Sequence, residues 1–181
     1  MLKNQEQEAL LYGNSGGKDS ATVIAMATKA IGKEKVLAVA MPCHSINSDM
    51  EDAILVSNTF GVKLLNIDLT NCYNEMEKSI QVELNKICFN DLSNEAKINA
   101  KPRLRMTTLY SIAQTLGYLV IGTGNLCEIM VGYTTKWGDS SSDFNPLGNF
   151  TVDEVLYIGK MLGVPDKILN KAPNDGLGRT N

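Results

Sequence analysis

Short apolar runs alternate along this chain with longer segments of helical period, and that alternation admits little besides a layered α/β fold. The runs at 9–12, 36–41, 63–67 and 118–121 read as strands, the second and fourth apolar enough to be buried on both faces. Between them Val23, Ile24, Ala27 and Ile31 recur at helical spacing, as do Leu109, Ile112, Ala113 and Leu116, so each segment carries a stripe that can cover a sheet. Ser48 and Glu51 have capping-box spacing and Gly61 stands at the far end, which brackets a helix over 49–60. Thr151 and Glu154 repeat the device for a helix running to about 162, with Gly163 and Pro165 as its stop. Strands separated by helices pair in parallel, so the expected architecture is a doubly wound parallel sheet with helices on both faces. The polar stretch 132–148 has neither period and is expected to be a long loop, and the weakly patterned segment 85–101 carries no assignment.

The first strand runs into Gly13-Asn14-Ser15-Gly16-Gly17-Lys18-Asp19-Ser20 and then into the first helix. A strand, a glycine turn and a helix N-terminus in that order gather backbone N–H groups around one small space, which suits phosphate. The glycines let the backbone approach the oxygens, Ser15 and Ser20 add hydroxyls, and Lys18 adds charge. Asp19 is the odd member. A carboxylate beside phosphates is repulsive unless a cation lies between them, so Asp19 implies Mg²⁺. The spacing is not the G-x-x-x-x-G-K-[ST] of the kinase and GTPase loop, and Gly122-Thr123-Gly124 fails as a dinucleotide fingerprint because Cys127 stands where the third glycine belongs.

Other classes are excluded more simply. Four scattered cysteines without a C-x-x-C pair, and a single histidine, argue against a zinc cluster and for a reduced, cytoplasmic setting. No apolar run approaches the roughly 20 residues that span a bilayer, and the polar N-terminus lacks a signal peptide's apolar core. A net charge of -3 gives no electrostatic reason to expect nucleic acid or an anionic membrane as partner.

S-G-G-x-D-S after a strand resembles the signature of the ATP pyrophosphatases, which cleave ATP between the α and β phosphates. Lys101-Pro102-Arg103-Leu104-Arg105-Met106, Gly122-Thr123-Gly124-Asn125-Leu126-Cys127-Glu128 and Gly132-Tyr133-Thr134-Thr135-Lys136-Trp137-Gly138-Asp139 are similar to ammonia-dependent NAD synthetases, as are 143–148 and 162–165. The resemblance implies an adenine nucleotide alpha-hydrolase-like fold over a single domain, 1–181. It implies that the deamido-NAD carboxylate is activated by ATP as an acyl adenylate, and that ammonia then displaces AMP. It gives Gly13 to Ser20 and Thr123 to ATP, Asp19 and Glu128 to Mg²⁺, and Arg103, Lys136 and Asp143 to deamido-NAD. Asp139 becomes a candidate for taking a proton from ammonia, and Asp19 and Lys136 join it in the catalytic set. It also implies a homodimer, with Arg103 or the loop 132–148 near the partner subunit.

Taken singly, several of these residues have plainer readings: an N-cap for Asp19, solvated helix faces for Glu128, Arg103 and Arg105, a structural ring for His44 and a packed thiol for Cys127. The pattern also departs from the family in places. Val152 stands where a lysine contacting ATP is common, Asn174 where Ser or Thr is usual, and Asn14 where a small apolar residue is common. The family normally has a helix before the first strand and a helical segment after Gly178-Arg179-Thr180, and neither is in this sequence. Another ATP pyrophosphatase, of the tRNA lysidine or GMP synthetase kind, and a nucleotide-binding protein without turnover are the alternatives.

Overall fold

A computed structural model describes residues 9–45, 47–88 and 91–172. Four parallel strands, β1 (Leu10–Gly13), β2 (Val36–Ala40), β3 (Lys63–Asn66) and β4 (Leu119–Ile121), form one sheet in the order β3-β2-β1-β4. The helices are α1 (Lys18–Ile31), α2 (Asn47–Phe60), α3 (Thr70–Asn85), α4 (Asn94–Leu116), α5 (Leu126–Val131), α6 (Val152–Met161) and α7 (Asp166–Leu169). Register is set by the pleat. Leu10 opposes Val36 and Leu119, and Tyr12 opposes Ala38 and Ile121, so alternate side chains of three strands emerge in step on each face.

Each face has its own core. Tyr12, Val36, Ala38 and Ile121 pack on one side with Val23, Ile24 and Ala27 of α1, Val56 of α2, Val155 of α6 and Ile168 of α7. Leu11, Val39 and Val120 pack on the other with Tyr73 of α3 and Ala113 of α4. Both faces are therefore covered, as the continuous apolar runs require. The expected fold class is the one observed, with β3 an edge strand whose ends are exposed. Gly159 lets α6 lie close on α1: a Cβ there would meet Thr22 Oγ1 at 2.7 Å.

Helix boundaries follow the chemistry of their ends. Thr151 accepts the Glu154 N–H while Glu154 reaches back to the Thr151 N–H, so the expected capping box forms, and Gly163 takes φ of +84° just past α6. The box expected at Ser48 does not form as read, because α2 already begins at Asn47 and places Ser48 inside its first turn.

The unassigned segment 85–101 needs a larger correction. It holds the end of α3 and the first two turns of α4, whose N-cap Ser93 accepts the Ala96 N–H at 3.2 Å. Pro102 lies inside α4, buried, and the helix runs through it. Tertiary burial wins there over the local signal that usually ends a helix. The stretch 132–148 contains no helix or ladder strand, and Phe144 makes a single parallel bridge to Ile121 beside β4. Asn174 and the residues 178–180 lie outside the described residues. No helix among the described residues is long and apolar enough to cross a membrane.

Candidate functional site

The strand order makes the site. After β1 the chain crosses to β2 and β3 on one side, and then returns to place β4 on the other side of β1. At that reversal the connections leaving β1 and β4 diverge and open a crevice beyond the carboxyl ends of the strands. The glycine loop leaves β1 there, and Gly122 to Asn125 leave β4 there.

The loop is held from behind. Asn14, buried, accepts the Gly16 N–H at 3.1 Å through Oδ1 and donates through Nδ2 to the Ala53 carbonyl at 2.9 Å and to Ser57 Oγ at 3.1 Å. The unusual amide thus finds partners at every polar atom of its side chain and fastens the loop to α2. Gly16 has φ of +72°, and a Cβ there would meet the Asp49 carbonyl oxygen at 2.7 Å and Asp52 Cβ at 2.9 Å, so no other residue fits. Ser15 and Ser20 hydroxyls lie 3.2 Å apart. The first intrahelical bond of α1 runs from the Ala21 N–H to the Gly17 carbonyl, which leaves the N–H groups of Lys18, Asp19 and Ser20 ahead of it. Three helix-end N–H groups thus stand beside the Ser15 and Ser20 hydroxyls at the start of α1, an arrangement suited to an anion.

Asp19 pairs with Lys18 Nζ at 2.9 Å through Oδ2 and accepts Asn125 Nδ2 at 3.1 Å through Oδ1. Asn125 is the buried N-cap of α5: its Oδ1 accepts the Glu128 N–H at 3.1 Å, and its own N–H donates to Glu128 Oε2 at 3.0 Å. One amide side chain thus connects Asp19, from the β1 side, to Glu128, from the β4 side. Burial pushes the Glu128 carboxyl above the usual carboxylate range, the Asn125 N–H draws it back, and Asp19 raises it again. Asp19 thus disfavours the Glu128 charge in a half-buried place, an arrangement that a cation between the two would relieve. Among the described residues no group of three or more His, Cys, Asp or Glu side chains is gathered to hold a metal unaided. A cation held by this pair would need its remaining ligands from water or a bound anion, and two carboxylates are a donor set that Mg²⁺ accepts.

The other expected residues have the following partners. Thr123 stands two residues beyond the end of β4, half-buried. Arg103, on α4, donates through Nε to the Lys136 carbonyl at 3.1 Å, so these two sequence-distant residues are adjacent. Lys136 Nζ lies 5.4 Å from the centre of the exposed Trp137 ring. Arg103 also lines a mostly apolar cleft of about 400 Å³ between α3 and α4, with Tyr73, Ile80 and Leu92. Asp139 Oδ1 accepts from the Thr135 N–H at 2.6 Å and from Thr134 Oγ1 at 3.1 Å, which closes the turn that carries it. Asp143 is engaged on both oxygens, by the Val120 N–H at 2.7 Å and by the Tyr110 hydroxyl at 3.3 Å. Arg105 is turned inward, with Nε on the Met41 carbonyl at 3.1 Å, rather than lying on a solvated helix face. His44 rests against the edge of Tyr73 and contacts Asn74 Oδ1 at 2.8 Å. Cys127 is exposed, so the expectation of a packed thiol is corrected: its helix, α5, turns that face to solvent. Val152 begins α6 just after the Thr151 cap.

Two features were missed in the sequence. Asn125 followed at the third position by Glu128 has capping-box spacing, and that signal could have singled it out. Buried Asp52 on α2 pairs with Lys167 and Lys171, both at 2.7 Å, and Lys171 also pairs with Asp49 at 2.9 Å, directly behind Gly16. No local pattern announces that cluster.

Comparison with known proteins agrees with this fold. The NAD synthase family model matches residues 1–181. The NH(3)-dependent NAD(+) synthetase of Thermococcus sibiricus is 47% identical over 176 residues, covering 97% of this chain and 66% of that relative. The chain therefore spans about two thirds of that relative's length. The solved structure of NMN synthetase from Francisella tularensis matches with a TM-score of 0.86 at 36% identity, covering 97% of this chain and 71% of the other. That of the NH3-dependent NAD synthetase from Campylobacter jejuni matches with a TM-score of 0.81 at 28% identity, covering 92% and 69%. A sheet, a glycine loop and a carboxylate pair in this arrangement, with a match along the whole sequence, have one conclusion: the chain belongs to the NAD synthase family.

Proposed function

We propose that this chain carries out the ATP-dependent amidation of deamido-NAD to NAD with free ammonia, releasing AMP and pyrophosphate. The observation that carries the reading is the convergence of Asp19 and Glu128 beside the glycine loop at the strand-order reversal. In this reading the loop from Gly13 to Ser20, with Thr123 at the facing rim, holds the ATP phosphates through the N–H groups and hydroxyls described. Asp19 and Glu128 hold Mg²⁺, which when bound neutralises phosphate charge. The nicotinate carboxylate attacks the α-phosphorus and pyrophosphate leaves, and the helix-end donors of α1 favour the charge on that leaving group. Ammonia then attacks the acyl carbon of the adenylate, AMP departs with the bond electrons, and the nitrogen gives up one proton, for which Asp139 is the acceptor. Arg103, Lys136 and Asp143 position the dinucleotide. The hydrogen bonds that already hold Asp139 and Asp143 fix where their carboxylates stand.

Incubation with ATP, Mg²⁺, ammonium and deamido-NAD is expected to yield AMP, pyrophosphate and NAD in equal amounts. The likeness to NMN synthetase favours one second reading, in which the acceptor is the nicotinate mononucleotide. The same assay with that mononucleotide decides between them, because the better acceptor has the larger kcat/KM. The higher identity to a relative named as an NAD synthetase places the dinucleotide first. AMP from neither acceptor would leave a nucleotide-binding protein without turnover. We further place the chain in the cytoplasm as a homodimer, with the rim carrying Arg103 and 132–148 near the partner. Sedimentation at micromolar concentration is expected to show a dimer, and monomer alone would end that part of the reading.

A further inference from the structure

We propose that Asn125 is a positioning residue for the cation, and that its side-chain amide sets the separation and orientation of Asp19 and Glu128 across the crevice. The inference rests on the reading that those two carboxylates hold a divalent cation. Asn125 is 1% exposed, and both ends of its amide are committed: Nδ2 to Asp19 Oδ1 at 3.1 Å, and Oδ1 to the Glu128 N–H at 3.1 Å. Its backbone N–H holds Glu128 Oε2 at 3.0 Å. Asp19 and Glu128 belong to different helices, α1 and α5, that reach the crevice from either side of the reversal in strand order. The bond between Asn125 and Asp19 spans 106 residues of sequence and ties the Asp19 carboxylate to the start of the helix that carries Glu128. An amide suits the task because it donates to one carboxylate and accepts from the helix end that carries the other. A carboxylate of the same reach accepts but cannot donate, and a serine hydroxyl, which does both, has only one oxygen and stands one bond nearer the backbone. Groups that hydrogen-bond a metal's ligands fix the ligands' orientation, and losing one typically weakens binding about tenfold or more.

A plainer role is that Asn125 only caps α5, and the choice of substitution separates the two. Asn125→Ser keeps an oxygen that can accept the Glu128 N–H, and therefore the cap, but its hydroxyl stands one bond short of where Nδ2 meets Asp19 at 3.1 Å and no longer reaches that carboxylate. Mn²⁺ binding to the protein with ATP, followed by electron paramagnetic resonance, reads the cation without turnover. The expected result for Asn125→Ser is a melting temperature close to wild type and a Mn²⁺ dissociation constant raised about tenfold. Asn125→Ala, which loses both functions, is expected to bind Mn²⁺ as weakly as Asn125→Ser and also to melt earlier. In turnover, Asn125→Ser should raise the Mg²⁺ concentration for half-maximal rate, with kcat recovering at saturating Mg²⁺. An unchanged Mn²⁺ constant in Asn125→Ser, while Asp19→Asn abolishes Mn²⁺ binding, overturns the inference and leaves Asn125 a helix cap. Mn²⁺ binding indifferent to Asp19→Asn overturns the metal reading itself, and this inference with it.

Discussion

At the scale of single residues, Glu128 and Gly16 are each held in an environment that a substitution would expose. The Glu128 carboxyl lies above the usual carboxylate range, first through burial and then through Asp19 and Asp139. An acid whose folded pKa is raised binds more protons folded than unfolded in the window between its ordinary and raised values. Without a cation, its charge therefore costs stability above that window, and the cost is relieved as pH falls through it. Glu128→Gln is expected to melt above wild type near neutral pH in cation-free buffer, with the difference shrinking as pH falls. The same variant should lose activity on the order of a hundredfold. Thermal melts across pH with and without Mg²⁺ check the first part and initial rates the second. Gly16 combines a left-handed φ with backbone of α2 closer than a Cβ tolerates. Gly16→Ala is expected to cost about 3 kcal/mol, read by urea unfolding.

At the scale of elements, the glycine loop owes its position to α2, and α2 is tied in turn to the segment after α7. Asn14 and Gly16 rest on Ala53 and Asp52, and Asp52 is 3% exposed with an ammonium on each oxygen, Lys167 and Lys171. Burial alone would push the Asp52 carboxyl up, but the two lysines outweigh it and hold it below the usual carboxylate range. A lowered folded pKa contributes stability that is present above the unfolded value and is lost as pH falls through the folded one. The side chains of Lys167 and Lys171 are 63% and 25% exposed, so water takes up part of what Asp52 supplied, and Asp52→Ala should cost about 1–2 kcal/mol near neutrality, a gap that narrows in strong acid. Denaturant unfolding of both proteins at the two pH values measures it. The elements also differ in how plainly they were written. The helix that becomes α6 carries its cap, its stripe and its stop in consecutive residues. By contrast α3 buries little beyond Tyr73, and α4 shows its stripe only from Leu109 to Leu116, so the half of α4 that passes through Pro102 could not be read without its packing partners.

At the scale of the whole molecule, the crevice joins the glycine loop to elements more than a hundred residues further along, so a ligand there should stabilise the fold as a unit. Mg²⁺ with ATP at a hundred times the dissociation constant is expected to add about 2.7 kcal/mol. For a chain of this size that raises the melting temperature by roughly 5–10 °C. Scanning calorimetry with ATP alone, Mg²⁺ alone and both together tests this, and no shift with both would argue against a nucleotide site.

What the amino-acid sequence determined by itself was everything encoded in neighbouring residues. That covers the four strands, the strand, glycine turn and helix around Ser15 to Ser20, and the capped α6. Those signals are local because a turn's φ, a cap or a burial period depends on residues a few positions apart. The tertiary structure alone decided that Asp19 and Glu128 meet, that Asn125 joins them, that Arg103 reaches the Lys136 carbonyl, and that Asp49 and Asp52 brace the loop from behind. The physical reason is the order of the strands. With β4 set beside β1 and not beyond β3, two loops distant in sequence leave the same edge of the sheet side by side, and no local periodicity records that choice.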